Sequence, residues 1–482
     1  MSLDVIRSER LTKLARLKEA GIDPYPAHSA RTHTNEQFVE NHGVLEQNGE
    51  AVTLAGRVMS IREHGGSFFV DIFDGTAKVQ VYFQKEGLGE EQFGHFMSLV
   101  DTSDIIEING TAFTTKRGMR SLLGSGWRML AKSLVPVPDQ WFGLKDEEER
   151  YRKRYLDILL TKDLADRIRR KSKFWNATRS YFLERGFVEV ETPVLETTTG
   201  GAEARPFSTH HHALDMDVYL RISAGELWQK RLLIAGLSKV FEIGRIFRNE
   251  GMSAEHLQDY TQLECYEAFK DYESGMQMVT DLYRTIADQV YGTHAFTAKA
   301  HTIDLGKEWE TYDFSELMKK EFGLDPREDT QWEPVLRERG IHYEEGVGME
   351  RLVDVAWKQV RKSLLGPGFL VNVPTYLEPL AKKSAADPRV VDRFQVILAG
   401  SEIGKGFSEL NDPQDQAERF KRQQTLRDAG DEEAQMADSE FVEALEFGMP
   451  PAFGFGVSER LFSFFEGVSV REAQIFPLMR PR

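Results

Sequence analysis

The sequence predicts an α+β protein in which a small antiparallel β-barrel precedes a larger domain of strands and helices. Three observations predict it. Residues 51 to 135 run as short alternating segments, AVTLAGRVMSIR, SFFVDIF, KVQVYFQ and DIIEINGTAF, separated by glycine-rich or Asp-Gly breaks, which is the period-2 pattern of half-buried strands. The charged run KDEEERYRKRYLDILL then leads into a long helical segment that reaches Arg185. Beyond it, strands such as VFEIGRIF and YTQLECYEAF alternate with helical stretches around 271 to 291, 314 to 321 and 350 to 364.

In chain order, residues 1 to 50 form an N-terminal extension. Within it, 6 to 20 place Leu11, Leu14, Ala15 and Leu17 at helical spacing and stop at Gly21, so a short amphipathic helix is expected. The barrel domain takes 51 to 140. VPVPDQWFG, with two prolines, reads as a linker, and the second domain takes 141 to 482. There VFEIGRIFRNEG and the returning YTQLECYEAF imply a hairpin with Arg245, Arg248 and Glu250 at its turn. Arginines there suit phosphate, because the guanidinium stays charged and offers a planar fork of donors. A strand-end ion pair with Glu242 or Glu250 is the plainer reading. FGFGVSERLFSFFEG sets Gly454 and Gly456 ahead of Glu459, Arg460 and an apolar helix, which lets backbone and one arginine approach a nucleotide. It lacks the three-glycine dinucleotide spacing, so a packing role for the glycines stands beside that reading. His210, His211 and His212 are consecutive in a strand-like stretch; neighbours point to opposite faces, so the triplet reads as structural. Residues 431 to 447 hold seven acids and no Lys or Arg, the pattern of a solvated helix face.

Composition bounds the function. At roughly 150 residues per domain, 482 residues suggest about three units. A net charge of −16 excludes a generally basic nucleic-acid binder and leaves only local patches for such contacts. Residues 51 to 140 are near neutral, with 9 Lys and Arg against 10 Asp and Glu. The single cysteine, Cys265, forms no internal disulfide and fits a reducing cytoplasm. The opening MSLDVIRSER lacks the apolar stretch of a secretory signal. The longest uncharged stretch, Ser363 to Leu377, is broken by Gly366-Pro367-Gly368 and Pro374, so a soluble, cytoplasmic chain with no membrane span is expected.

GFVEVETPVL with Pro193, FRNEG with its returning strand, and GFGVSER resemble the three ordered motifs of class II aminoacyl-tRNA synthetases. KRYLDIL, TTTGGAEARPF, THHHALDMDVYLRIS, PLAKK, GFSELNDPQDQAERF and IFPLMRPR narrow the resemblance to the lysyl-tRNA synthetases over nearly the whole chain. The resemblance implies an OB-fold anticodon-binding barrel ahead of a catalytic domain with a mixed, mainly antiparallel sheet flanked by helices. It implies ATP-dependent formation of lysyl-adenylate, transfer to the terminal adenosine of tRNA(Lys), ATP as substrate, Mg2+, and a homodimer formed around Pro193. Carried over to this sequence, Arg248 grips the α-phosphate and the substrate carboxylate, and Arg460 stacks on adenine and meets the γ-phosphate. Tyr260 covers the other adenine face, with His256 near the γ-phosphate and Glu250 and Glu402 also at the nucleotide. Glu264 and Glu409 take the side-chain ammonium of lysine, with Tyr266 adding a hydroxyl. Glu226 takes the α-ammonium, assisted by the backbone of Gly200 and Gly201, and Phe407 completes the lysine site. In the barrel, Arg57, Arg62, Phe69 and Gln80 fall at anticodon-binding positions. Stacking by Phe69 would hold unstacked bases, although adjacent Phe68 and Phe69 must face opposite ways.

Several positions depart from the better-known bacterial pattern. Glu255 stands where an arginine is usual. Gln395 replaces the glutamate that partners Glu402 around magnesium, and a neutral amide is a weaker ligand for a hard dication. Lys405 takes the place of an asparagine that holds the lysine carboxylate. Met119 sits where a glutamate often reads the anticodon, and Ser458 interrupts the glycine spacing before Arg460. Two alternatives remain open from sequence: a non-catalytic lysine- or RNA-binding paralogue, and an enzyme that modifies a protein with lysine, the latter disfavoured by the barrel.

Overall fold

The computed structural model describes every residue except 1, 139–143, 252, 254 and 482; part of the expected linker therefore lies outside the described residues. The chain forms two compact units, the first ending at Lys162 and the second beginning at Asp163. The N-terminal extension thus folds with the barrel, and the chain divides later than the expected boundary at 140/141.

In the first unit a helix runs over Leu3–Glu19, and Gly21 follows it at φ +71°, a left-handed position that glycine adopts without a Cβ penalty. A second helix, Asn35–Asn48, rests on a capping box written in the sequence as Thr34-x-x-Gln37. The Thr34 hydroxyl accepts from Gln37 N at 3.1 Å and the Gln37 side chain accepts from Thr34 N at 2.9 Å. The barrel strands are β1 (Ala51–His64), β2 (Ser67–Phe73), β3 (Lys78–Gln84), β4 (Ile105–Thr114) and β5 (Arg120–Ala131), closed in the order β1-β2-β3-β5-β4. Alternation sends Phe68, Val70, Ile72, Val81 and Phe83 into a core shared with Leu54, Ile106 and Met129, while Phe69, Gln80 and Tyr82 stay outside. The helical segment expected to lead into Arg185 is broken into Glu147–Arg152, Arg154–Leu160 and Lys162–Glu184. Buried Asp157 accepts from Arg150, Arg154 and the Thr161 hydroxyl, which ties the short helices together across both breaks.

Among its described residues the second unit holds thirteen strands: β6 (Val188–Glu189), β7 (Leu195–Glu196), β8 (Ser208–His211), β9 (Met216–Leu220), β10 (Lys239–Phe247), β11 (Asp259–Ala268), β12 (Ala295–Ala298), β13 (His301–Asp304), β14 (Glu310–Asp313), β15 (Gly368–Val371), β16 (Arg393–Leu398), β17 (Ser401–Ser408) and β18 (Ala452–Ser458). Eight form one sheet, in the order β14-β15-β16-β17-β18-β11-β10-β6. It is mixed but mainly antiparallel, with parallel pairing of β14 with β15 and of β10 with β6. β7, β9 and β8 form a small sheet, and β12 with β13 a hairpin.

One face of the large sheet packs against the helices Lys162–Glu184 and Tyr272–Tyr291. Phe174, Tyr181, Phe182, Val279, Leu282 and Tyr283 meet Phe241, Leu263, Phe394, Phe453 and Phe455 there. The opposite parity of the same strands builds a cleft. On β11, Leu263 and Cys265 join the core while Gln262, Glu264 and Tyr266 line the cleft; on β18, Phe453, Phe455 and Val457 join the core while Gly454, Gly456 and Ser458 line it. Gly404 at φ +123° marks an extra residue in β17, where Gln395 pairs with Lys405 but Ile397 with Glu402. That bulge lets Glu402, Lys405 and Phe407 all face the cleft. Among the described residues no helix is long and apolar enough to cross a membrane.

Candidate active site

The cleft has a volume of about 440 Å3, within the usual range for small-molecule sites. It gathers Gly201, Glu226, Arg248, Tyr260, Glu264, Tyr266, Gln395, Glu402, Lys405, Phe407 and Arg460 from the sequence expectation. Glu250, His256 and Glu409 are not on its wall.

The acidic end is built on β11 and on the helix Glu226–Ile234. Glu264 is 3% exposed. Its Oε1 accepts from Ala224 N at 2.8 Å and from Gln262 Nε2 at 2.6 Å, and its Oε2 from the Tyr266 hydroxyl at 3.1 Å. Burial, then the nearby Glu226 charge, pushes its carboxyl up to about 7. Glu409, 2% exposed, lies behind Tyr266 and Gly454, where a Cβ on residue 454 would overlap its carboxylate. It is not left for a ligand alone. Lys230, wholly buried, sets its ammonium 2.5 Å from Glu409 Oε2 and 2.8 Å from Glu226 Oε1, one helical turn away. Glu409 Oε1 is buried without a hydrogen-bond partner. Burial pushes the Glu409 carboxyl up to about 8, against the pull of Lys230. Sequence reasoning missed Lys230; its signal is the Glu226-x-x-x-Lys230 spacing, which puts the two on one helix face. Gly201, at φ +83°, has no room for a Cβ beside Ser223 and Glu226, so backbone borders the cleft there.

Lys405 and Gln395 sit differently from the resemblance. Lys405 Nζ donates to Glu378 Oε2 at 3.2 Å, and Glu378 also pairs with Arg393, so the Lys405 charge is already partly matched. Burial pushes the Glu378 carboxyl up, but Arg393 and Lys405 outweigh it and hold it low. Gln395 Oε1 accepts from Arg393 at 3.0 Å and its Nε2 donates to Gly404 O at 2.9 Å. A dication at the Gln395 oxygen would share it with the Arg393 guanidinium, which weakens Gln395 as the expected metal ligand. Glu402 accepts from Trp357 Nε1 at 2.8 Å and is the carboxylate of that pair that fits a hard cation. No group of three or more His, Cys, Asp or Glu suited to hold a metal occurs among the described residues.

The basic end comes from the β10–β11 hairpin, formed as expected. Its strand-end ion pair joins Arg245 to Asp259 rather than to Glu242 or Glu250. Arg248 Nε donates to Ile222 O at 3.2 Å, and the guanidinium lies 5.9 Å from the Tyr260 ring centre. Arg460 Nε donates to the backbone oxygen of Glu255 at 2.7 Å. His256 Nδ1 lies 2.7 Å from the Ser253 hydroxyl. Burial, then Arg460, lowers its pKa to about 4, so its ring is neutral at pH 7. Glu250 sits in the loop, and burial raises its carboxyl. The helix after Arg460, Arg460–Glu466, carries Phe462, Phe464 and Phe465 into the core, which fixes the arginine's base.

On the barrel's outer face Arg62 pairs with Phe69, and Phe69 with Tyr82, across neighbouring strands. Phe69 stacks on Tyr82 at 4.7 Å, and Tyr82 stands 6.0 Å from Phe113. Tyr82 was not foreseen, although its place between inward Val81 and Phe83 marks it as outward. Arg62 forks onto Asp71 at 3.0 and 3.2 Å, Gln80 accepts from the Ser121 hydroxyl at 3.0 Å, and Arg57 donates to Ser103 O at 2.8 Å. Met119 is exposed in the β4–β5 connection. The histidine triplet pairs through His210 with Asp217 at 3.0 Å.

Comparison with known proteins gives the family. The family described as tRNA synthetases class II (D, K and N) matches residues 146–480, and an OB-fold nucleic acid binding domain matches 52–135. A lysine-tRNA ligase of Roseiflexus sp. (strain RS-1) is 41% identical over 489 residues, covering 100% of both chains. One of Fervidobacterium nodosum is 40% identical over 98% of this chain and 94% of its own. One of Halalkalibacterium halodurans is 39% identical over 100% and 98%. With matches of this length and identity, the chain belongs to the lysine-tRNA ligase family of class II tRNA synthetases.

Proposed function

We propose that this protein joins L-lysine to ATP, forming lysyl-adenylate and pyrophosphate, and then transfers the lysyl group to the 3′ end of tRNA(Lys). The observation that carries this is the opening of Glu226 and Glu264 into the same cleft as Arg248, Tyr260 and Arg460. Glu264 and the Tyr266 hydroxyl receive the side-chain ammonium, and Glu226 and the backbone at Gly201 receive the α-ammonium. Glu409 acts on the lysine site from behind, through its ion pair with Lys230, and Phe407 borders the aliphatic stem. An uncharged or acidic side chain would leave Glu264 buried without a counter-ion, which is costly. Lys405 and Arg248 flank the substrate carboxylate.

No nucleophile is needed from the protein. A carboxylate oxygen of lysine attacks the α-phosphorus, the bond to the β-phosphate oxygen breaks, and pyrophosphate leaves. The terminal tRNA hydroxyl then attacks the carbonyl and AMP leaves. Arg248 on the α-phosphate, with adenine held between Tyr260 and Arg460, supplies placement and fixed positive charge. Neutral His256 and Glu250 contribute hydrogen bonds at the nucleotide. Mg2+ carried by ATP would meet Glu402 and neutralise phosphate charge. The barrel face of Arg57, Arg62, Phe69 and Gln80, extended by Tyr82, holds the anticodon by stacking. We read the protein as a cytoplasmic homodimer joined around Pro193.

Exchange of labelled pyrophosphate into ATP tests this. It should require lysine and ignore aspartate and asparagine; exchange driven by another amino acid, or tRNA binding with no ATP consumption, would defeat the reading. Arg248→Ala should abolish exchange, because a charge-assisted contact to the reacting phosphate is worth several kcal/mol, roughly 2.7–4 by analogy with oxyanion donors.

A further inference from the structure

The β12–β13 hairpin turns on two residues, Lys299 and Ala300, with φ of +50° and +66°. Two left-handed central residues define the turn that Asn-Gly fills most readily, and Lys-Ala is strained there. Strain of this kind persists where surroundings over-determine it, and it clusters at active sites, ligand clamps and switch regions. Lys299 is held in that way: Nζ donates to Glu255 Oε1 at 2.6 Å and to the Ser401 hydroxyl at 2.7 Å. Ser401, which itself donates to Glu255 Oε1 at 2.8 Å, directly precedes the cleft residue Glu402.

Glu255 is the centre of a cationic cluster. Arg361, just after the helix Met349–Val360, reaches within 3.7 Å of Glu255 Oε2, is fixed by Gly400 O at 3.2 Å, and keeps its Nε buried without a hydrogen-bond partner. The backbone oxygen of the same Glu255 receives Arg460. Burial pushes the Glu255 carboxyl up, but Lys299, Ser401 and Arg361 outweigh it and hold it at about 2, so it is an anion at every working pH. An anion fixed among an ammonium, a guanidinium with a donor to spare and the nucleotide arginine occupies a place suited to phosphate oxygens.

Building on the ATP-dependent reading above, we propose that Lys299 and Arg361 form the subsite for the terminal phosphates of the nucleoside triphosphate, and that the Glu255 carboxylate occupies this subsite until the nucleotide displaces it. The hairpin tip and the helix end thereby supply, from behind, the cations that the loop does not supply at position 255. A multiply charged phosphate tail replaces a single carboxylate, and Glu255, partly exposed, moves aside toward solvent.

Direct binding of ATP, pyrophosphate and AMP to the full-length protein and its variants tests this without relying on turnover. Lys299→Met should weaken ATP and pyrophosphate about tenfold or more while AMP changes less than about twofold, the loss expected for one charge-assisted contact. Lys299→Arg should recover most of that loss. Glu255→Gln should tighten ATP several-fold, whereas a merely structural Glu255 would anchor Lys299 and its loss would weaken ATP. Equal weakening of ATP and AMP in Lys299→Met, or weaker ATP binding in Glu255→Gln, would overturn the proposal. Lysine-dependent exchange in the unmodified protein is scored separately, so a failure of the lysine reading leaves this comparison of ATP with AMP intact.

Discussion

Glu226, Glu264 and Glu409 are each nearly buried in one place, and among the described residues the cation paired with them is Lys230, on Glu226 and Glu409. Taking an ion out of water costs several kcal/mol, so a surplus of buried anions must recruit protons or a cationic ligand. That surplus has a pH consequence. Only ionised Glu264 attracts an ammonium, and burial holds its carboxyl at about 7 in the free protein. The KM for lysine should therefore be flat above pH 7 and rise as pH falls below it, by about tenfold per unit if one proton must leave. Steady-state exchange between pH 6 and 8.5, with the KM for ATP as reference, measures it; a lysine KM that does not change below pH 7 refutes it. Lys230→Met should cost roughly 3–5 kcal/mol, because it leaves two buried carboxylates without their counter-ion. Adding Glu409→Leu should restore part of the melting temperature, and a single variant as stable as the parent would contradict this.

At the scale of elements, alternation along β11 and β18 places glycines opposite large polar side chains of the cleft: Gly454 pairs with Tyr266, and Gly456 with Glu264. The two glycines are not equivalent. A Cβ at 454 would overlap the Glu409 carboxylate and the Tyr266 ring, while at 456 the nearest atom, Glu264 Cγ, is 3.5 Å away. Gly454→Ala should therefore abolish lysine-dependent exchange and Gly456→Ala should largely keep it, as measured by kcat/KM for lysine; the reverse order would show that the cleft is lined otherwise. These strands were legible in the sequence because the period-2 pattern of LECYEAF and FGFGV is local, and so was the hairpin. Motif order named eleven residues that the fold brings to one cleft wall. What local pattern cannot show is which charges cancel. Lys405 with Glu378 and Lys299 with Glu255 are pairs set by the fold across 27 and 44 positions of chain. The β17 bulge at Gly404 likewise reverses side-chain parity by one residue, which a strict alternation would misplace. The breaks before Arg185 leave no mark in the sequence, because the residues of KDEEERYRKRYLDILL all suit a helix; the ties that Asp157 makes to Arg150 and Thr161 exist only in the fold.

For the whole molecule, the sheet ends in β6, an edge strand of two residues that presents exposed Val188. Leu183, Val194 and Leu195 are exposed nearby in sequence, flanking Pro193. An uncovered apolar edge is an association surface, and natural sheets otherwise blunt such edges with charge. This edge is wired to the cleft. Thr192, next to Pro193, donates through its backbone N at 3.0 Å and its hydroxyl at 2.6 Å to Glu242 Oε2 on β10. Glu242 Oε1 holds buried Arg221 at 2.5 Å, Arg221 Nε donates to Arg245 O at 2.8 Å, and the neighbouring Ile222 O receives Arg248. A second copy of this chain docked on the edge would thus fix the segment that holds Arg248, the arginine proposed for the α-phosphate. Val194→Glu is expected to halve the mass measured by light scattering and to lower kcat for exchange about tenfold, a change of roughly 1.4 kcal/mol in the barrier. Two results would break the link: a variant that remains a dimer shows that this edge is not the contact, and a monomer with full exchange shows that Thr192, Glu242 and Arg221 hold Arg248 without help from a partner.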